Sequence, residues 1–292
     1  MRVQAHLSAS NADKKGIATS AMTAVSNVRQ SLGLDQFSPT CIYDICHKIG
    51  VTVRFNDINM EGMYQKADKP HIHLSSKRPL SRRAFNCGHE LGHHIFGHGS
   101  SIDELQEDTS KYGASDPKEL LADSFAAHLL MPAIAVRASF NIRGITPDDA
   151  TPQQLYVIAC DFGVGYSTLI THLSSGLGLM SRSRAGEMKR HTPKSIRALL
   201  LGEDISTPLI VAGAKRKNPL IDIEVGSLLL LPKDTIVDAS KLTPVRRLKN
   251  AALYQASSPG IGQVRAPEWS AFARVSRKAY IGLARYRHLE DD

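Results

Sequence analysis

The chain has 292 residues, 42% of them hydrophobic, which is enough for two or three domains with real cores. No apolar run approaches roughly eighteen residues and the N-terminal MRVQAHLSASNADKKG has no apolar stretch, so neither a membrane span nor a signal peptide is expected and the location read is cytoplasmic. The net charge of +8 lies wholly in the second half: residues 1–150 hold 16 Lys+Arg and 16 Asp+Glu, residues 151–292 hold 20 and 12, which points to an anionic partner, nucleic acid being the commonest.

Residues 1–12 read as disordered. Lys14 to Leu32 has a helical period, with Ile17, Met22, Val25, Val28 and Leu32 as inward positions. A second helix is expected from Ser38-Pro39 to Lys48, stopped by Gly50. Val51 to Phe55, Met60 to Lys66 and His71 to Leu74 read as short strands. His71 and His73 alternate with Ile72 and Leu74 and face solvent or a cleft, where an edge strand could bind an extended peptide. Of the four cysteines, Cys41, Cys46, Cys87 and Cys160, none has ligand spacing, and all read as buried thiols. Cys87, two residues before His89, is a candidate redox switch.

Ser81 to Phe96 is expected to be the central helix. The run from Arg82 to His98 is RRAFNCGHELGHHIFGH and contains the H-E-x-x-H pattern at His89 to His93. Positions i and i+4 share a helix face, so His89 and His93 can aim both imidazoles at one metal ion. Glu90 sits about 100° around the helix, beside the ion, where it can take a proton from an attacking water. Gly88 and Gly92 each cost about 1 kcal/mol against Ala in a helix, which makes sense if another backbone passes close to the metal side. His94 and His98 form a competing i, i+4 pair, set aside because Ile95 follows His94 and Gly97 ends the helix first. Gly99 to Ser115 is an acidic, polar loop, read as the mobile segment of this domain.

The third ligand comes from DPKELLADSFAAHLLMP, Asp116 to Pro132. Asp116 can cap a helix with Pro117 at its first position, and Leu120, Leu121, Phe125, Ala126, Leu129 and Leu130 form the apolar face. Glu119 and Asp123 share the other face. A His89, His93, Glu119 set with one open position is a catalytic zinc arrangement, and Asp123 could fix the tautomer of a ligand histidine. Tyr64, Tyr112 and His128 are candidates for the donor that stabilises an oxyanion.

Ala133 to Phe140 reads as a short helix and Gly144 to Thr151 as a loop. Thr151-Pro152 opens a helix to Phe162, Gly163 to Gly165 turn, and Ser167 to Ser174 form a second helix, which is helix-turn-helix spacing. The second helix offers Tyr166, Ser167, Thr168, Thr171 and His172 but no Arg or Lys, so a structural or protein-contacting role competes with base reading. Ser181 to Arg197 is read as a basic linker. Beyond Pro208, strands are expected at 209–212, 220–225, 228–231, 236–239, 272–275 and 279–286, with a basic helix from Leu242 to Gln255. An antiparallel sheet with helices on one side fits this pattern.

These residues resemble a known family. The H-E-x-x-H helix followed by E-x-x-x-D is similar to the gluzincin pattern of thermolysin-like metallopeptidases. A narrower resemblance is to the ImmA/IrrE metallopeptidases. Their H-E-L-G-H helix preceded by R-x-R-F-like residues corresponds to Arg83 to His93. Their E-x-x-A-[ND]-x-F-A-A-x-L-L-M-P helix corresponds to Glu119 to Pro132. In layout the chain most resembles the IrrE members from radiation-resistant bacteria. The resemblance implies an α+β protein with three parts. These are a zinc-metallopeptidase-like (gluzincin) domain at 1–150, a small helix-turn-helix domain and linker at 151–200, and a C-terminal α/β GAF-like sensor domain at 201–292. It also implies Zn2+ as cofactor, with Mn2+ as the alternative in the cell, and a DdrO-like helix-turn-helix repressor as protein substrate, cut once to induce the radiation and DNA-damage response. The competing expectation is a DNA-binding transcription activator, touching DNA through the basic half, with a non-catalytic metal site.

Overall fold

The computed structural model describes residues 11–103, 116–216 and 219–289. The first helix, α1 (Asn11–Ser31), buries Ala21, Val25 and Val28 and lies against α4. Helix α2 (Ile42–Ile49) starts later than its Ser38-Pro39 signal, with Cys41 at the N-cap. Ser38 instead donates its hydroxyl to Asp35 Oδ2 at 2.6 Å in the preceding turn, a local competitor to helix initiation.

Strands β1 (Thr52–Asn56), β2 (Gly62–Gln65) and β3 (His71–Ser75) alternate with period two, burying Val53, Phe55, Tyr64, Ile72 and Leu74 on one face. Strands β1 and β3 are parallel, and β2 is antiparallel to β3. Helix α3 (Leu80–Phe96) packs on the buried face. The segment read as a loop from Gly99 contributes β4 (Ser101–Asp103) at the sheet edge beside β2; the rest of that reading, residues 104–115, lies outside the described residues. Helices α4 (Pro117–Leu130) and α5 (Ala133–Asn141) follow as expected.

Helices α6 (Pro152–Phe162) and α7 (Tyr166–Thr171) fall where two helices are expected, and a π turn at His172–Gly176 follows them. Leu155, Ile158, Ala159, Phe162, Leu169, Ile170 and Leu173 belong to the same core as α1 to α5. His172 Nε2 donates to Met131 O at 2.9 Å. The expected linker is instead two helices, α8 (Arg182–Met188) and α9 (Pro193–Leu201). Ser181 caps α8, and Thr192 caps α9 in a capping box with Ser195. Those caps, with Ala185, Met188 and Ile196 buried, outweigh the polar composition.

The C-terminal part also differs from expectation. Its strands are β5 (Leu209–Val211), β6 (Leu220–Glu224), β7 (Leu228–Pro232), β8 (Ile236–Val237), β9 (Leu242–Arg247), β10 (Ala251–Ala256), β11 (Gly260–Ala266) and β12 (Trp269–Ser276). They form two four-stranded sheets, β5-β7-β10-β9 and β6-β12-β11-β8. One core takes Leu229, Leu231 and Leu242 from the first sheet and Ile221, Val264 and Val275 from the second, which is a sandwich and not one antiparallel sheet backed by helices. The basic helix expected at 242–255 is a hairpin, β9 and β10. Pro244 suits an edge strand, and Ala252 and Tyr254 alternate into the core. After the sandwich the chain returns: β13 (Gly282–Leu283) pairs with β1 to complete the first sheet, ordered β13-β1-β3-β2-β4. Tyr280 and Ala284 join the first core. Among the described residues no single helix is long and apolar enough to cross a membrane.

Two expectations follow. A Cβ at Gly92 would stand 2.9 Å from Ala122 Cα in α4. Gly92→Ala therefore gains about 1 kcal/mol of helix propensity and loses about 1–3 kcal/mol to overpacking; a lowered melting midpoint in calorimetry is expected. Burial pushes the His172 imidazole down to about 3. Between its ordinary value near 6.5 and about 3 the unfolded chain binds a proton the folded chain refuses, so stability falls as pH drops, by about 1.4 kcal/mol per unit. His172→Gln should flatten that acid limb in melts run with a chelator present.

Candidate metal centre

Two short signals place the site. Helix α3 runs unbroken to Gly97, which ends it at φ 66°, so His89 and His93 stay one turn apart on one face. Asp116 accepts a hydrogen bond from Lys118 N at 2.8 Å and, with Pro117, fixes the start of α4. Glu119 in that first turn is thereby set over the two imidazoles. Helices α3 and α4 can approach this closely because Gly88 and Gly92 face Ala126 and Ala122; a Cβ at Gly88 would stand 3.2 Å from the Ala126 Cβ.

Three donor atoms converge. His89 Nε2 lies 3.0 Å from His93 Nε2 and 3.1 Å from Glu119 Oε2, and His93 Nε2 lies 3.4 Å from Glu119 Oε1. Ligands at about 2.0–2.1 Å from a tetrahedral ion stand about 3.3 Å apart, so these separations match the edges of a coordination tetrahedron. The protonation pattern agrees. His89 Nδ1–H donates to Asp123 Oδ1 at 2.8 Å, which leaves a bare lone pair on Nε2. His93 Nδ1 lies 2.9 Å from His98 Nδ1; when His93 is the donor of that bond, its Nε2 is bare too. Two lone pairs and a carboxylate turned toward one point repel unless a cation lies between them, so the residues present fit a divalent metal. The Glu119 side is the open side, since its side chain is 44% exposed while that of His93 is 2% exposed.

Glu90 is fully buried beside the ligand pair. Its carboxylate lies over Gly62 of β2, where a Cβ would stand 2.6 Å from Oε1, so glycine is required at that point of the strand. One turn further along α3, Tyr64 OH and His94 Nδ1 are hydrogen-bonded at 2.7 Å. The competing pair is thus split, with His94 turned to Tyr64 and His98 to His93. Of the three oxyanion candidates, Tyr64 is bonded to His94 and His128 packs edge-on against His172 at 4.9 Å between ring centroids. Tyr112 lies outside the described residues. Sequence reasoning reached Asp123 but not the supporting role of His98. The signal was the left-handed Gly97, which turns His98 back over the helix end.

His93→Ala and Glu119→Ala should lose bound metal, and Glu90→Gln should keep it, as measured by metal analysis of the purified proteins. Asp123→Ala and His98→Ala should retain the site with affinity lowered about 10–100-fold in a chelator competition.

With this geometry in hand, residues 46–174 match the family model of the IrrE N-terminal-like domain, peptidase family M78. No curated protein matches the sequence. A solved structure, a Mycobacterium tuberculosis transcriptional regulator, is similar over 56% of this chain and 51% of its own, at 16% identity and a TM-score of 0.34. The chain thus spans about half the length of that protein. The family match covers a little under half of the sequence, includes His89, Glu90, His93 and Glu119, and supports the ImmA/IrrE family of metallopeptidases.

Proposed function

We propose that this protein is a metal-dependent, site-specific endopeptidase of gluzincin type, cytoplasmic, using zinc or, in the cell, manganese. Its proposed substrate is a DdrO-like helix-turn-helix repressor whose cleavage induces the radiation and DNA-damage response. The observation that carries this reading is the convergence of His89, His93 and Glu119 with Glu90 beside them. A divalent cation held there supplies Lewis-acid polarisation of the scissile carbonyl and of the attacking water. His89, His93 and Glu119 hold it, with Asp123 and His98 orienting the two imidazoles. Glu90 takes the proton of the attacking water and delivers it to the leaving amine, and its burial against Gly62 keeps the carboxylate in one place for both transfers. The site opens on the Glu119 side, from which a peptide enters.

The second reading is a DNA-binding transcription activator with a non-catalytic metal site. It is favoured by the positive excess of residues 151–292, including the exposed Arg182, Lys189 and Arg190 around α8. Against it, α7 exposes Ser167 and Thr171 and carries no cation for base reading.

Incubation of wild type and Glu90→Gln with the candidate repressor across a zinc and manganese series separates the two readings. Removing a general base costs about 10²–10⁴ in rate, so Glu90→Gln should bind metal yet leave the repressor intact, and its cells should lose damage survival. Cells carrying Glu90→Gln that remain resistant and still induce the repair genes would favour direct activation.

A further inference from the structure

The outer face of the β6-β12-β11-β8 sheet is half covered. Along β12 the residues alternate until Phe272, which is exposed, but Arg274 and Ser276 on that same outer face are buried. The covering surface is the peptidase core. Arg274 donates to Asp222 through Nε at 2.7 Å and Nη2 at 2.8 Å and reaches Asp44 of α2 at 3.4 Å. Arg287 also reaches Asp222 at 3.1 Å and lies over the Tyr43 ring. Next to this pair, Glu224 of β6 bonds the Arg83 guanidinium of α3. Arg83 is 2% exposed and sits 5.1 Å above the Phe55 ring of β1. Tyr280 packs edge-on against Phe55 as the chain returns to form β13.

Helix α3 carries both imidazoles and Glu90, while Glu119 stands on α4. A ligand set holds an ion tightly only when its atoms are fixed within about 0.5 Å. Any slip of α3 along its axis moves His89 and His93 together against Glu119. Glu61 binds Arg82 and Asn86 on one side of α3, and Glu224 binds Arg83 on another. A buried ion pair contributes little net stability, because desolvation offsets attraction, but it fixes one geometry.

We infer that Glu224 is a positioning residue for the metal centre: through Arg83 it fixes α3 against α4, so the C-terminal sandwich is a structural part of the site and not a detachable module. The inference rests on the metal-site reading above.

The test is zinc affinity of the full chain, measured by competition with a chromophoric chelator well below the melting midpoint, alongside the midpoint itself. Glu224→Gln and Arg83→Met should each weaken zinc binding on the order of tenfold. The double variant Arg83→Met with Glu224→Leu removes both charges, so its melting midpoint should recover while its zinc affinity stays low. Lys194→Ala, at an exposed ion pair with Asp204, should change neither. If the double variant regains wild-type affinity together with its stability, the pair only stabilises the fold and the inference falls. It falls equally if the single variants bind zinc as wild type does while Glu119→Ala does not. If Glu119→Ala itself binds like wild type, the metal-site reading fails, and this inference with it.

Discussion

The closeness of α3 and α4 is the constraint from which the site follows. Four small residues, Gly88, Gly92, Ala122 and Ala126, line the contact, with Ala122 Cα 2.9 Å from the place a Cβ at 92 would occupy. Glycine in mid-helix weakens α3 by about 1 kcal/mol at each position. What it allows is a carboxylate from one helix within hydrogen-bond distance of two imidazoles from the other. Side chains of ordinary size would hold the helices about 8–10 Å apart at their axes, and the first turn of α4 would then stand off the histidines. The same logic recurs at Gly62, where β2 gives way to the Glu90 carboxylate. The site is made by removing side chains as much as by supplying them.

The second organising device is the buried guanidinium. Arg29 is fully buried and donates to Leu129 O at 3.1 Å and Ser38 O at 2.8 Å, tying the end of α4 to the segment after α1. Arg83, Arg274 and Arg287 do the corresponding work at the seam with the sandwich. Burial pulls the Asp222 carboxyl up, and the Arg287 and Arg274 guanidiniums more than reverse it, leaving it well below the usual range. Each of these arginines offers a planar fork that satisfies several acceptors at once, which an ammonium cannot. Removing one partner would strand a charge in the interior, so the segments are held in register even where the net contribution to stability is small.

Local signals carried the site, and long-range packing hid most of the rest. The i, i+4 spacing of His89 and His93, the Asp116-Pro117 start of α4 and the Glu119/Asp123 face all act within a turn or two of helix. Each is therefore readable in a window of a dozen residues. The Arg83–Glu224 pair joins positions 141 apart, and no periodicity points to it. At β9 and β10 the basic residues suggest a helix, while Pro244 and the alternation of Ala252 and Tyr254 carry the hairpin. The helices α8 and α9 lie in a segment of linker-like composition, where Ser181 and Thr192 are caps. Short strands in a two-sheet stack give only weak period-two patterns, and which sheet each joins is decided by partners elsewhere in the chain.

The charge asymmetry looks different once burial is known. Arg216, Arg274 and Arg287 count toward the basic half, yet they are buried against Asp161 and Asp222 and present nothing to a partner. The exposed excess includes Arg182, Lys189 and Arg190, near α7, which turns Tyr166, Leu169 and Ile170 into the first core. The opposite face of that helix exposes Ser167 and Thr171 and carries no cation for base reading. At cellular salt the charge around α8 is felt over about 8 Å. That is enough to raise the encounter rate with an acidic surface or with a protein held near nucleic acid.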